Sequence, residues 1–160
     1  MPQVPIFELT DRAIDCEQLK EALRDDRAGA LITFEGVVRN HNEGKKVRAL
    51  SYEGYEPLAR AEALRIFAEA QERYQIIKCL AVHRVGELAI GEAAVFLGVA
   101  AAHRDQAYQA SRYIIDEIKK RLPIWKKEHY LDGSADWVNC SHGHDQEREY
   151  EHKPQLAGGK

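Results

Sequence analysis

Cysteine is scarce in this chain: three in 160 residues, Cys16, Cys79 and Cys140, odd in number and far apart. That spacing excludes a disulfide framework and fits a reducing compartment. No apolar run approaches the roughly 20 residues of a membrane span. The opening MPQVPIFELTDR lacks the basic-then-apolar pattern of a secretory leader. No membrane partner and a cytoplasmic location are therefore the expectations. Basic residues are also outnumbered, 23 Lys and Arg against 26 Asp and Glu, for a net charge of −3. A nucleic-acid-binding surface needs the reverse balance, so nucleic acid is not expected as a partner. No internal repeat and no long linker is visible.

What is present suits one ordinary folded unit. A chain of this size buries roughly 70% of the surface that it exposes when unfolded, so neither disulfide nor structural metal is required. The expected organisation is a folded domain over residues 1–140 and a polar, mobile tail over 141–160, where HGHDQEREYEHKPQLAGGK shows no periodicity. A short strand near PIFEL precedes a helix with Asp15 as N-cap, Leu19 and Leu23 on one face and Gly29 near its stop. GALITFEGVVR, 29 to 39, reads as a strand, NHNEGKK, 40 to 46, as a loop, and VRALSYEGY as the returning strand of a hairpin.

Pro57 opens the next helix, which runs to about Tyr74 with Leu58, Ala61, Leu64, Ile66, Phe67 and Ala70 on its apolar face. IIKCLAVHRVG and EAAVFLGVAAA read as strands joined through ELAIG. A helix from about Arg104 to Leu122 keeps Ala107, Ser111, Ile114, Ile118 and Leu122 together, and Pro123 ends it. IWKKEHYL is a last strand candidate, followed by the turn LDGSAD and Trp137. Strands and helices mix without regular alternation, which predicts an α+β fold with a mostly antiparallel sheet.

Against the acidic background one cationic cluster stands out. Lys119, Lys120, Arg121, Lys126 and Lys127 lie within nine positions, interrupted by the apolar Leu-Pro-Ile-Trp. A single lysine at a helix C-terminus needs no explanation beyond the helix dipole. A group of them is different: neighbouring cations lower one another's proton affinity, which prepares an amine to act as base or nucleophile, and the local field attracts an anion.

Arg39 stands at the mouth of the loop after FEGVV, where ligand-binding side chains gather. His103 and Arg104 fall at a strand-to-helix junction, whose free N–H groups welcome anions, although a cap and a surface ion pair would use the same residues. Along one continuous helix Arg104 and Lys119 are about 22 Å apart, at roughly 1.5 Å per residue. One small substrate cannot touch both, so they serve either two sites or one site assembled across a dimer, and the dimer is the favoured expectation. His83–Arg84, inside a strand, reads as structural. Cys140, His142 and His144 lack a fourth ligand, so no metal site is assigned.

The same segments carry a family resemblance. FEGVVRNHNEG, LSYEGYEPLA, HRVGELAIGE and VAAAHRDQAYQASRYIIDEIKKRLPIWKKE, followed by Trp137, resemble the large, catalytic subunit of molybdopterin synthase, in order and from about residue 5 to 138. The resemblance implies an α/β hammerhead-type fold with additional antiparallel strands. It implies a sulfurtransferase that converts cyclic pyranopterin monophosphate to molybdopterin by installing a dithiolene. The sulfur would arrive as a thiocarboxylate on the C-terminal Gly-Gly of a small ubiquitin-like partner subunit, and two copies of the large subunit would form the centre of a heterotetramer. No resident cofactor or metal is implied.

By the family pattern Val37, Val38, Arg39, His103, Arg104, Lys119, Lys126, Lys127 and Glu128 line the substrate pocket. Lys119 is implied as the principal catalytic residue, Lys126 as the second, and Phe34 as a contact of the inserted tail. The chain departs from the pattern after Trp137. Some family members place a basic residue there that reaches the neighbouring subunit's pocket, whereas here Val138 to His142 reads VNCSH, leaving His142 or Arg148 as substitutes. Two other readings stay open at this level. One is a non-catalytic module that docks a ubiquitin-like tail. The other is a cyclic phosphodiesterase, for which the metal-ligating cluster is lacking.

Overall fold

A computed structural model describes residues 6–138, so the tail and the Cys140-His142-His144 group lie outside the described residues. Nine strands and three helices follow in the order β1 (Phe7–Thr10), α1 (Cys16–Ala22), β2 (Ala30–Val37), β3 (His41–Asn42), β4 (Lys45–Gly54), α2 (Glu56–Tyr74), β5 (Lys78–Arg84), β6 (Gly86–Ala89), β7 (Ala93–Ala101), α3 (Arg104–Arg121), β8 (Ile124–Tyr130) and β9 (Ala135–Val138). They build two sheets. The first runs β1-β5-β7-β2, the second β3-β4-β8-β9 with β6 paired to β4. Among the described strands only β1 and β5 pair in parallel. This is the expected α+β class.

β5 and β7 are apolar almost throughout because both faces of the first sheet are covered. Cys79, Ala81, Leu97 and Val99 face α2 and α3, packing on Phe67, Ala63, Ala110 and Ile114. Leu80, Val82 and Phe96 alternate to the other face, where Leu19 and Leu23 of α1 meet them. Gly98 is required at that contact, since a Cβ there would stand 2.1 Å from Leu23 Cδ1. Burying side chains such as Phe96 and Leu23 contributes roughly 2–3 kcal/mol each.

Five local expectations are corrected. The strand 29–39 does not form a hairpin with the next one: β2 pairs antiparallel with β7, and β4 belongs to the second sheet. Val38 leaves the first sheet at that point, its N–H donating to Glu92 O and its carbonyl accepting from Gly91 N. The polar segment 40–46 is itself a tight hairpin, β3 to β4, turning on Glu43 (φ 48°) and Gly44 (φ 78°). Both central residues then have positive φ, as a two-residue hairpin turn requires. Glu in the first of these places is an unusual choice and hides the signal.

α1 stops at Ala22 and not near Gly29, because Asp25 folds the chain locally, its carboxylate accepting from Arg27 N and its carbonyl from Ala28 N. The buried stripe of α2 is Ala59, Ala63, Ile66, Phe67 and Ala70, at true helical spacing, while Leu58, Ala61 and Leu64 are exposed. ELAIG, read as a connection, contains most of β6, whose Leu88 is fully buried against β4. The face assigned to α3 and the stop at Pro123 agree with the structure.

Candidate active site

Pro123 ends α3 and sends the chain straight into β8, so that the cationic helix end and the first residues of the strand border one cavity. Between them opens a cleft of about 360 Å³ lined by Lys119, Lys120, Pro123, Trp125 and Trp137 among others. Trp125 and Trp137 are both more than half exposed, an unusual state for indoles, and they give the cleft flat apolar walls beside the ammonium groups. Lys119 also acts on the protein interior: its charge helps lower the proton affinity of His83.

The period of two along β8 sorts its residues. Lys126, Glu128 and Tyr130 share one face, opposite Tyr52, Leu50 and Val47 of β4. Lys127 points the other way, its Nζ 5.5 Å from the ring centroid of Trp137. Glu128 is only 1% exposed. Lys126 Nζ lies 3.8 Å from Glu128 Oε1, and the same oxygen accepts from Asn42 Nδ2 at 2.6 Å. Tyr130 joins this group: burial, with its hydrogen bond to Glu128, pushes its phenol up to about 12. Arg39, exposed at the end of β2, donates through Nη2 to Asn42 Oδ1 at 3.3 Å. The β3–β4 turn thus brings Arg39 to the Lys126–Glu128 pair.

The remaining sequence-predicted residues are placed as follows. His103 is the N-cap of α3 in extended conformation, without a side-chain cap bond, and Arg104 is the first helical residue; both are exposed. They occupy the far end of an unbroken helix from Lys119, so the separation of about 22 Å stands. Val37 is 55% exposed, whereas Val38 is buried with Val47, Leu50 and Leu88 and presents no side chain to solvent. Phe34 lies on β2, an edge strand, 37% exposed. Arg121 is drawn away from the cleft by Glu62, Glu69 and Glu117.

His83, read as structural, is buried, its Nδ1 donating to Arg84 O at 2.8 Å and its ring edge-on to Tyr52 at 4.9 Å. Burial, with the Lys119 charge, holds its pKa down to about 4, so the ring is neutral. Sequence reasoning missed Asn42, which it placed in a featureless loop. The available signal was its position three residues beyond Arg39, next to a Glu-Gly turn. Neither described cysteine is a ready nucleophile, because burial raises Cys16 to about 11 and Cys79 to about 12. Among the described residues no group of three or more His, Cys, Asp or Glu is placed to hold a metal ion. No described helix is long and apolar enough to cross a membrane.

The profile of the family described as MoaE protein matches residues 9–121. A molybdopterin synthase catalytic subunit of Thermoplasma volcanium is 40% identical over 130 residues, 81% of this chain and 95% of the relative. That of Bacillus subtilis is 42% identical over 132 residues, 82% of this chain and 83% of the relative. The X-ray crystal structure of molybdopterin synthase from Staphylococcus aureus superposes with a TM-score of 0.80 at 36% identity, covering 84% of this chain and 98% of that one. With the fold, the order of its segments and this breadth of similarity in agreement, the chain belongs to the MoaE protein family.

Proposed function

We propose that this chain is the catalytic subunit of a molybdopterin synthase, a cytoplasmic sulfurtransferase that installs the two dithiolene sulfurs of molybdopterin. Its sulfur donor is the C-terminal thiocarboxylate of a small ubiquitin-like partner, and its substrate is cyclic pyranopterin monophosphate. The observation that carries the reading is the cleft at the α3–β8 junction. It joins ammonium groups to exposed indole walls, which suits an anionic, flat heterocycle.

In this reading Lys119 is the principal catalytic residue and Lys126 the second. They move protons and stabilise the negative charge that develops as sulfur is added and the cyclic phosphate opens. Arg39 holds the phosphate by charge-assisted hydrogen bonds. His103 and Arg104 are too distant along α3 to serve the same cleft as Lys119, so a second copy of the chain supplies them, and the working unit is a homodimer flanked by two small subunits. Phe34, on the open edge of the first sheet, contacts the incoming tail. Both described thiols are held protonated, which is consistent with a sulfur that enters on the partner.

The test mixes the chain with thiocarboxylated small subunit and the cyclic precursor and assays the dithiolene product. Product is expected, and Lys119→Ala is expected to abolish most of it while partner binding stays nearly intact. A stable complex that yields no product would replace the enzyme by a docking module. Near-normal turnover by Lys119→Ala would remove that lysine from the mechanism.

A further inference from the structure

Among the described residues Glu128 is the only buried carboxylate. A carboxylate stripped of water must be compensated by donors that remain fixed. Lys126 supplies charge, but at 3.8 Å it is an ion pair and not a short hydrogen bond. The short contact is the 2.6 Å bond from Asn42, made across 86 positions of sequence. The far end of that amide accepts from Arg39. Its orientation is therefore fixed: reversal would set oxygen against carboxylate and NH2 against guanidinium.

The backbone explains how Asn42 reaches both. It precedes the Glu43–Gly44 turn, paired with Lys45, and β4 then runs alongside β8 with Leu50 opposite Glu128. A neutral amide is also the fitting chemistry at this point. Lys or Arg at this position would neutralise Glu128 and draw it from Lys126, and Asp would repel it. Asn gives Glu128 a donor and leaves its charge to orient the lysine.

We propose that Asn42 is a positioning residue that binds Arg39 and the Glu128–Lys126 pair into one unit, so that an anionic substrate group docking on Arg39 also sets the lysine. The identity of that anion as a cyclic phosphate rests on the proposed function; the linkage rests on the hydrogen bonds alone.

Turnover of the assembled synthase tests it first. Asn42→Ala is expected to lower kcat about tenfold, the effect of one hydrogen bond to a charged group, and to raise KM for the precursor a few-fold. In a Lys126→Ala background the same change should alter kcat less than about twofold, because the unit is already broken. A full tenfold loss in both backgrounds would overturn the proposal. Asn42→Asp keeps the shape and the turn but should be at least as impaired as Asn42→Ala; a near-wild-type Asn42→Asp enzyme would show that only shape matters.

A second measurement needs no turnover and so separates this inference from the functional reading. Solvent exchange of the Asn42 side-chain amide protons, followed by NMR in the chain, should be slow in the wild type and at least about tenfold faster in Arg39→Ala. If the wild type makes no product, the functional reading fails and this experiment still decides the linkage. Equal exchange rates in the two proteins would overturn it.

Discussion

Arg121 and Lys126 belong to one short run of cations, yet the fold gives them opposite surroundings. Arg121 reaches Glu62 and Glu69 at 2.6 Å each and Glu117 at 3.4 Å, closing the seam between α2 and α3. Tyr113 donates to the same Glu69, whose carboxyl is held below its usual range by Arg121 and Tyr113, while the guanidinium is driven further from deprotonation. Lys126 has the one carboxylate of Glu128, at longer range and shared with Asn42. One cation is fully engaged by partners on α2 and on its own helix. The other keeps an ammonium on the Glu128 face of β8, with capacity to spare. Charge counted along a sequence therefore overstates what a site can use, because packing consumes part of it.

The comparison is sharpest when each cation is removed in turn. Lys126→Ala is expected to reduce dithiolene formation by about 10²- to 10³-fold, the range of a positioned proton-transfer group. It should also lose about 1–2 kcal/mol of stability, since Glu128 then keeps only its neutral donors. Arg121→Met should lose about 2 kcal/mol, its ion pairs being partly screened at the surface, and the melting temperature should drop by roughly 4–8 °C. Turnover per folded molecule should stay within about twofold of wild type. Calorimetry beside the product assay separates the two. Loss of chemistry in Arg121→Met as deep as in Lys126→Ala would erase the distinction between seam and site.

His83 extends the contrast to pH. Its folded pKa, about 4, lies below the ordinary 6.5, chiefly through burial. The unfolded chain then binds more protons than the native one between those values, so stability is complete above pH 6.5 and declines as pH falls toward 4. The shift corresponds to about 3 kcal/mol over that window. Glu69 and Glu92, held below their usual range by Arg partners, lose their contributions at more acid pH. Urea midpoints at pH 7.5, 5.5 and 4.5 should fall steadily for the wild type and much less for His83→Phe. Parallel declines in both proteins would place the proton uptake elsewhere.

Much of this was legible in the sequence, for reasons that differ from residue to residue. Ala107, Ser111, Ile114, Ile118 and Leu122 declared one face of α3, and Pro123 declared its end, because helical spacing and a missing N–H are local properties. β7 was plain as an apolar run, but its pairing with β2 was not, since nothing local says which strands share a sheet. The site divides in the same way. Residue types and spacing drew attention to Arg39 and to the run of cations that includes Lys119 and Lys126, and the family resemblance chose those two within it. The burial of Glu128 and its tie to Asn42 depend on β4 lying beside β8, a contact between distant segments. Val38 shows the limit of a motif read as a string: it adjoins Val37 in sequence but turns into the core.

Lys127 offers the smallest and finest test. The family resemblance sets it in the pocket with Lys126 and Glu128, yet strand alternation turns it to the opposite face of the second sheet, over Trp137. An ammonium 5.5 Å from an exposed indole contributes about 0.5–1 kcal/mol at most. Lys127→Ala should therefore change stability by no more than that and turnover by less than about threefold, while shifting the fluorescence of Trp137. The emission change would report that the cation had left the ring. A loss of turnover approaching that of Lys126→Ala would mean that substrate or partner engages both faces of β8, and the separation of the two lysines by the pleat would lose its functional meaning.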